Sequence, residues 1–97
     1  MPKANPRTEA SIERAVCAYA KLRGMFVRKM NGLGYAGSPD RFYVPKSGRI
    51  FFIEFKRAGG VTTPLQDRMI DGLRARMLNV YVVDSVERGK EIIDEHA

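Results

Sequence analysis

The sequence contains no tryptophan, one cysteine and one histidine. A single cysteine excludes an internal disulfide, so we expect a reducing compartment, the cytoplasm. The lone histidine stands next to the C-terminus and excludes both a serine–histidine–acid triad and a Cys/His zinc site. No apolar run reaches the roughly 20 residues of a membrane-spanning helix, and no signal-peptide pattern is visible. We therefore expect no membrane partner.

Acidic residues are scarce over most of the chain. Residues 1–83 hold 15 of the 17 Lys and Arg residues but only 6 of the 11 Asp and Glu residues, and the net charge is +6. A basic body favours a polyanionic partner, most simply nucleic acid, although many soluble proteins have a high isoelectric point without one. From a length of 97 residues and 44% hydrophobic composition, we expect residues 1–97 to form one globular domain.

Three helices are predicted from periodicity and capping signals. The first begins after Thr8 and ends near Arg23. The second opens at 63–66, Thr-Pro-Leu-Gln, which has the form of a capping box with proline at the first helical position. The third covers residues 86–95. The apolar spacing of the second helix predicts a buried face made of Leu65, Met69, Leu73 and Met77.

Four strands are predicted, over residues 25–30, 42–44, 50–53 and 80–83. The last is apolar throughout, which is typical of a strand covered on both faces. A glycine-rich loop at 31–37 follows the first strand, and its glycines are expected to let the backbone approach DNA or a metal closely. The order of the elements predicts an α/β protein.

Ionisable residues cluster at the open end of a predicted β-hairpin. A turn near residues 46–48 folds Asp40 back towards Glu54 and Lys56. Because side chains alternate between the faces of a strand, Glu54 and Lys56 point the same way. Two carboxylates held this close repel each other, and a hard divalent cation such as Mg²⁺ would remove the repulsion. The alternative is a surface salt bridge at the end of a strand.

Three segments together resemble a known nuclease motif. Gly37-Ser38-Pro39-Asp40, Glu54-Phe55-Lys56 and Gln66 resemble the PD-(D/E)xK pattern in the form of the VRR-NUC family, over roughly residues 8–83. The resemblance implies a restriction-endonuclease-like αβββαβ core, a mixed sheet flanked by helices, with the C-terminal helix added. It also implies an endodeoxyribonuclease that hydrolyses phosphodiesters with Mg²⁺ or Mn²⁺.

Small stand-alone members of this family, as found in phages, resemble Holliday-junction resolvases that act as homodimers. The resemblance therefore implies a four-way DNA junction as substrate, a homodimer, and the cytoplasm of a bacterial host if the gene is carried by a phage. The alternatives are a repair nuclease acting on flaps or ends, and a non-catalytic DNA-binding module on a nuclease fold.

The resemblance also implies the metal ligands. They are Asp40, Glu54, the Phe55 main-chain carbonyl and a glutamate on the first helix. Glu9 is preferred to Glu13 for that last role, because it lies nearer the centre of the apolar stripe of the helix. The alternative role for Glu9 is stabilisation of the helix dipole.

The remaining predicted site residues are polar or basic. Two nearby carboxylates favour the charged form of Lys56, so we expect it to act electrostatically rather than as a general base. Gln66 is fully explained by capping, yet the family also places a site-facing glutamine there. The predicted DNA contacts are Arg28, Lys29, Arg41, Arg57 and Tyr35; solvated charge, and for Tyr35 a place against the core, are the alternatives.

Overall fold

A computed structural model describes residues 7–30 and 37–97 of the chain. The order of its elements is the predicted αβββαβ followed by a C-terminal helix. Tyr35 and most of the glycine-rich loop lie outside the described residues. The elements are α1 (Glu9–Leu22), β1 (Phe26–Lys29), β2 (Arg41–Val44), β3 (Phe51–Phe55), α2 (Pro64–Arg74), β4 (Asn79–Val83) and α3 (Val86–His96).

The four strands form one mixed sheet in the order β1-β2-β3-β4. The β1–β2 and β2–β3 pairs are antiparallel, and β4 runs parallel to β3 after the α2 crossover. Every residue of β3 is buried. The register places Arg41 opposite Ile53, so Asp40, one residue earlier, is carried to the level of Glu54. The mixed sheet flanked by helices confirms the predicted fold class.

Helices cover the two faces of the sheet unequally. On one face α1 and α3 pack together over a large core, and Gly89 of α3 lies so close to Val16 of α1 that an added Cβ would stand 2.3 Å from a Val16 methyl group. On the other face α2 covers a smaller cluster. The larger core includes Ile12, Val16, Tyr43, Phe51, Ile53, Phe55, Ile92 and Ile93, and the smaller one Phe52, Ile70 and Val80.

Two predictions about burial are wrong. In α2 the residue that packs fully against the sheet is Ile70, whereas Leu65 is 47% exposed and Met77 lies beyond the helix, 91% exposed. Periodicity identifies residues that share a side of a helix, but the sheet contacts only the Ile70 edge of that apolar sector. The prediction that β4 is covered on both faces is wrong at Val82, which is 41% exposed, although Val80 and Val83 are buried in the two clusters.

Within the described residues, no helix combines the length and apolar character needed to cross a membrane. Cys17, the single cysteine, is buried and lies 3.4 Å from the Tyr43 hydroxyl. Burial raises the pKa of the Cys17 thiol, which suits a packing role rather than a nucleophilic one. The predicted cytoplasmic location stays a prediction.

Candidate active site

Three carboxylates converge at the end of the sheet where β2 begins and β3 ends. Glu9 comes from the first turn of α1, Asp40 from the residue before β2, and Glu54 from β3; each offers an oxygen within 4.8 Å of the other two. The Asp40 Oδ2 atom accepts a 2.7 Å hydrogen bond from the Phe55 amide. The Asp40 carboxylate therefore accepts a hydrogen bond that a backbone carbonyl would accept if the β2–β3 ladder continued. This bond holds the Asp40 side chain against β3.

Glu54 is almost completely buried, with 2% of its surface exposed. Its Oε2 atom accepts a 3.1 Å hydrogen bond from Gln66 Nε2 and lies 3.5 Å from the Lys56 ammonium. Its Oε1 atom is buried and has no hydrogen-bond partner among the residues described. A buried polar atom without a partner costs stability, about 1–3 kcal/mol. This oxygen is thus in a position where a cation would stabilise it.

Burial and repulsion both disfavour the charged forms of these acids. Burial, and after it the negative charge of Asp40, raises the pKa of Glu54 to about 7, even though Lys56 acts in the opposite direction. Burial also raises the pKa of Asp40, with a smaller contribution from the charge of Glu13, while the hydrogen bond from Phe55 opposes the rise. The site holds more negative charge than its own protein groups compensate.

The donor set fits a hard divalent cation. It consists of carboxylate oxygens, which Mg²⁺ and Mn²⁺ prefer, with no sulfur or nitrogen donor in the cluster. The unpartnered Oε1 atom of Glu54 and the mutual repulsion of the acids are the two features that such a cation would relieve. Phe55 follows Glu54 directly and ends β3, so its carbonyl remains the predicted additional ligand.

Gln66 connects this cluster to the start of α2. Its main-chain amide donates to the Thr63 hydroxyl and its side-chain Oε1 accepts from the Thr63 amide, which completes the predicted capping box. The Nε2 atom of the same side chain donates to Glu54. Capping and contact with the acidic cluster are therefore made simultaneously by the two ends of one amide group.

Gly37, just before the Asp40 turn, lies directly on the first turn of α2. Its φ of +84° is in the left-handed region, and an added Cβ would stand 2.7 Å from the Leu65 carbonyl oxygen. The sequence predicted that this glycine lets the backbone approach DNA or a metal closely. In the structure the element that the Gly37 backbone approaches is α2. This contact could not be predicted from the sequence, because Gly37-Ser38-Pro39-Asp40 carries no signal for a partner on α2.

The other predicted site residues, namely Glu13 and four arginine and lysine side chains, lie outside the three-carboxylate cluster. Glu13 forms a 2.7 Å ion pair with Arg41, and both side chains are largely buried. Arg28 is exposed and donates to the carbonyl of its neighbour Val27, while Lys29 and Arg57 are exposed. The structure thus groups Glu9, Asp40, Glu54, Lys56 and Gln66, and places Glu13 with Arg41 beside them.

Comparisons with known proteins bear on the fold. A scan of the sequence against protein-family models matches none, and a search of curated proteins finds no match. A search of solved structures finds a chain described as a VRR_NUC domain, with a TM-score of 0.83 and 27% sequence identity over 94% of this chain and 100% of that one. The chain is thus similar to a VRR_NUC domain over nearly its whole length, which supports the predicted VRR-NUC family.

Proposed function

We propose that the chain, as a single domain over residues 1–97, is a metal-dependent endodeoxyribonuclease that cuts four-way DNA junctions. The observation that carries the proposal is the convergence of Glu9, Asp40 and Glu54 on the fold of a VRR_NUC domain, with one buried oxygen of Glu54 that finds no partner in residues 7–30 and 37–97. Structural ion pairs seldom bring three acids together with so little compensation, whereas metal sites for phosphoryl chemistry require it.

Asp40, Glu54 and Glu9 would hold Mg²⁺ or Mn²⁺, with the Phe55 carbonyl as a further ligand. When bound, such a cation supplies charge neutralisation at a phosphate and acidification of a water molecule. Glu9 is favoured over Glu13 because Glu9 is part of the converging set, whereas the Glu13 carboxylate is engaged by Arg41. The hydrogen bond from Phe55 keeps Asp40 in place before any ligand arrives.

Lys56 and Gln66 position the Glu54 carboxylate. Both contact its Oε2 atom, so that Oε2 is held in place and Oε1 is directed away from these two side chains. The Lys56 ammonium would orient the attacking water and stabilise the charge that develops on the scissile phosphate. Further phosphate contacts are proposed for exposed cations near the site, namely Arg28, Lys29 and Arg57, with Arg41 and Tyr35 as additional candidates.

The four-way junction and the homodimer are proposed together. Resolving a junction requires two cuts, and two copies of one chain supply two equivalent sites. The outer side of α2 carries a cleft of about 300 Å³ lined mostly by apolar surface, including Leu65, Met69 and Leu73, which offers a surface for the second copy. A flap- or end-directed nuclease would need one site only.

A panel of DNA substrates tests the proposed function. Four-way junction, flap, single-stranded and linear duplex DNA are incubated with the protein in Mg²⁺, Mn²⁺ or EDTA. We expect cleavage only with metal, fastest on the junction and symmetric across it. Cleavage confined to flaps or ends would assign the alternative nuclease, and binding without cleavage of any substrate would assign a non-catalytic module. Light scattering on the same preparations reports whether the chain is a dimer.

The choice between the two helix glutamates can be tested with a matched pair of variants. Glu9→Gln should weaken Mn²⁺ binding at least about tenfold, because it removes one of three converging carboxylates. Glu13→Gln should leave Mn²⁺ affinity nearly unchanged and lower stability by more than the roughly 0–1 kcal/mol of an exposed pair, because it leaves the largely buried Arg41 without a charged partner. Calorimetric titration with Mn²⁺ in the absence of DNA measures the metal affinity of both variants. The reverse order of effects would assign the ligand role to Glu13.

A further inference from the structure

A cleft of about 390 Å³ lies along the exposed side of α1. Two small residues leave it open: Ala10 and Ala18 are exposed, with Arg14 between them. Its lining includes Ala10, Glu13, Arg14, Ala18 and Lys21 of α1 and Arg41 of β2. We call this feature the α1 cleft. Neither the nuclease motif nor the predicted DNA contacts include Arg14 or Lys21.

The α1 cleft is positively charged. Arg41 is compensated by Glu13, which leaves the charges of Arg14 and Lys21. Both of these side chains are exposed, and neither forms an ion pair with any residue in the described parts of the chain, 7–30 and 37–97. They are seven residues apart, which is two helical turns, so they project from the same side of α1 about 10 Å apart along the helix axis.

One end of the cleft is close to the acidic cluster. Glu13, in its lining, is one helical turn from Glu9, and Arg41, in its opposite wall, directly follows Asp40. From there the cleft continues along α1 to Lys21, about 18 Å from Glu9 along the axis. Arg14 and Lys21 project from a side of α1 that is turned well away from Glu9, so a polyanion that contacts both cations would approach the carboxylates from the Glu13 end of the cleft.

We propose that the α1 cleft binds the phosphodiester backbone of the DNA strand next to the scissile phosphate, with Arg14 and Lys21 each contacting a phosphate. The proposal rests on the nuclease function proposed above and extends it to two residues outside the motif. Two exposed cations about 10 Å apart, in a groove beside the proposed metal site, match a chain of repeated negative charges better than they match a single small anion.

The salt dependence of DNA binding tests this assignment. Wild-type protein, the double variant Arg14→Gln/Lys21→Gln and the control Lys46→Gln/Arg49→Gln are titrated with a labelled linear duplex in EDTA at several salt concentrations. The control removes the same charge from exposed residues of the turn between β2 and β3, at the opposite end of these strands from the acidic cluster. Loss of two phosphate contacts should reduce the slope of log K against log salt by about 1.8, because each contact contributes about 0.9. The control should keep most of the wild-type slope.

Each result supports or overturns the assignment. An α1 variant with the wild-type slope, or a control that loses as much as the α1 variant, overturns it. A wild-type protein that does not bind duplex at low salt in EDTA also overturns it, because two cations need no metal to attract phosphate. Cleavage in Mn²⁺ is measured on the same preparations, so the nuclease function is judged separately. Unchanged thermal unfolding shows that both double variants are folded.

Discussion

Asp40→Asn is expected to abolish DNA cleavage while leaving the fold intact. The asparagine side-chain oxygen can still accept the hydrogen bond that Asp40 receives from Phe55 at 2.7 Å, so the β2–β3 connection is kept. The negative charge is lost, and with it one of the three converging carboxylates. Metal ions contribute several kcal/mol to phosphoryl chemistry, so the rate should fall by about a thousandfold or more. DNA binding should be retained or tightened, because repulsion between carboxylate and phosphate decreases.

The matched control for this variant is Asp71→Asn. Asp71 is exposed on α2, and the change removes the same charge without touching the site. Cleavage of a labelled junction in Mn²⁺ and calorimetric titration with Mn²⁺ are measured for both variants. Cleavage by Asp40→Asn at the wild-type rate would mean that the site is misassigned.

The metal-free protein should become less stable as the pH rises from about 5 to about 8. The pKa of Glu54 is raised from its ordinary value of 4.5 to about 7 in the folded chain, chiefly by burial and by the charge of Asp40. Between these two values the folded state binds a proton that the unfolded state has released, so stability falls with rising pH. A difference of this size corresponds to about 3 kcal/mol lost across the interval. Asp40 contributes in the same direction, since its pKa is also raised.

Urea unfolding in EDTA at several pH values measures this loss. The Glu54→Gln variant is the control, because an amide of nearly the same shape does not titrate and should remove most of the slope. Saturating Mn²⁺ should also abolish the fall in the wild-type protein, because the cation favours the ionised acids. A wild-type curve with the same pH dependence as that of Glu54→Gln between about pH 5 and about pH 7 in EDTA would contradict the buried, repelling arrangement of Asp40 and Glu54, since His96, whose pKa is lowered by burial, affects both proteins equally.

The features that could be predicted from the sequence depend on residues that are close together in the chain. The turn near residues 46–48 and the alternation of side chains were enough to bring Asp40 to Glu54, and four consecutive residues revealed the capping box that contains Gln66. The family resemblance then connected these pieces. The likeness to a VRR_NUC domain supports that resemblance and confirms the fold class.

What could not be predicted depends on how separate elements pack. The apolar spacing of α2 could not tell which edge of its sector meets the sheet, so Ile70 was missed and Leu65 was placed in the core. The contact of Gly37 with Leu65 joins residues far apart in sequence, and only the folded chain shows it. The ion pair between Glu13 and Arg41, which distinguishes Glu13 from Glu9, also joins residues far apart in sequence. Local signals carry no information on such pairings.

Gln66 has a consequence for the interpretation of mutational scans. Because one amide group both starts α2 and supports Glu54, replacement by alanine removes a folding contact and a functional contact in a single step. Such a scan would score position 66 as essential without saying for which reason. Glutamate keeps the capping contact, since its carboxylate can still accept from the Thr63 amide, but it has no hydrogen to donate to Glu54 and adds a further acid to the cluster. Retained stability with lost activity in that variant would show that the contact with the acidic cluster, and not the cap, is the essential one.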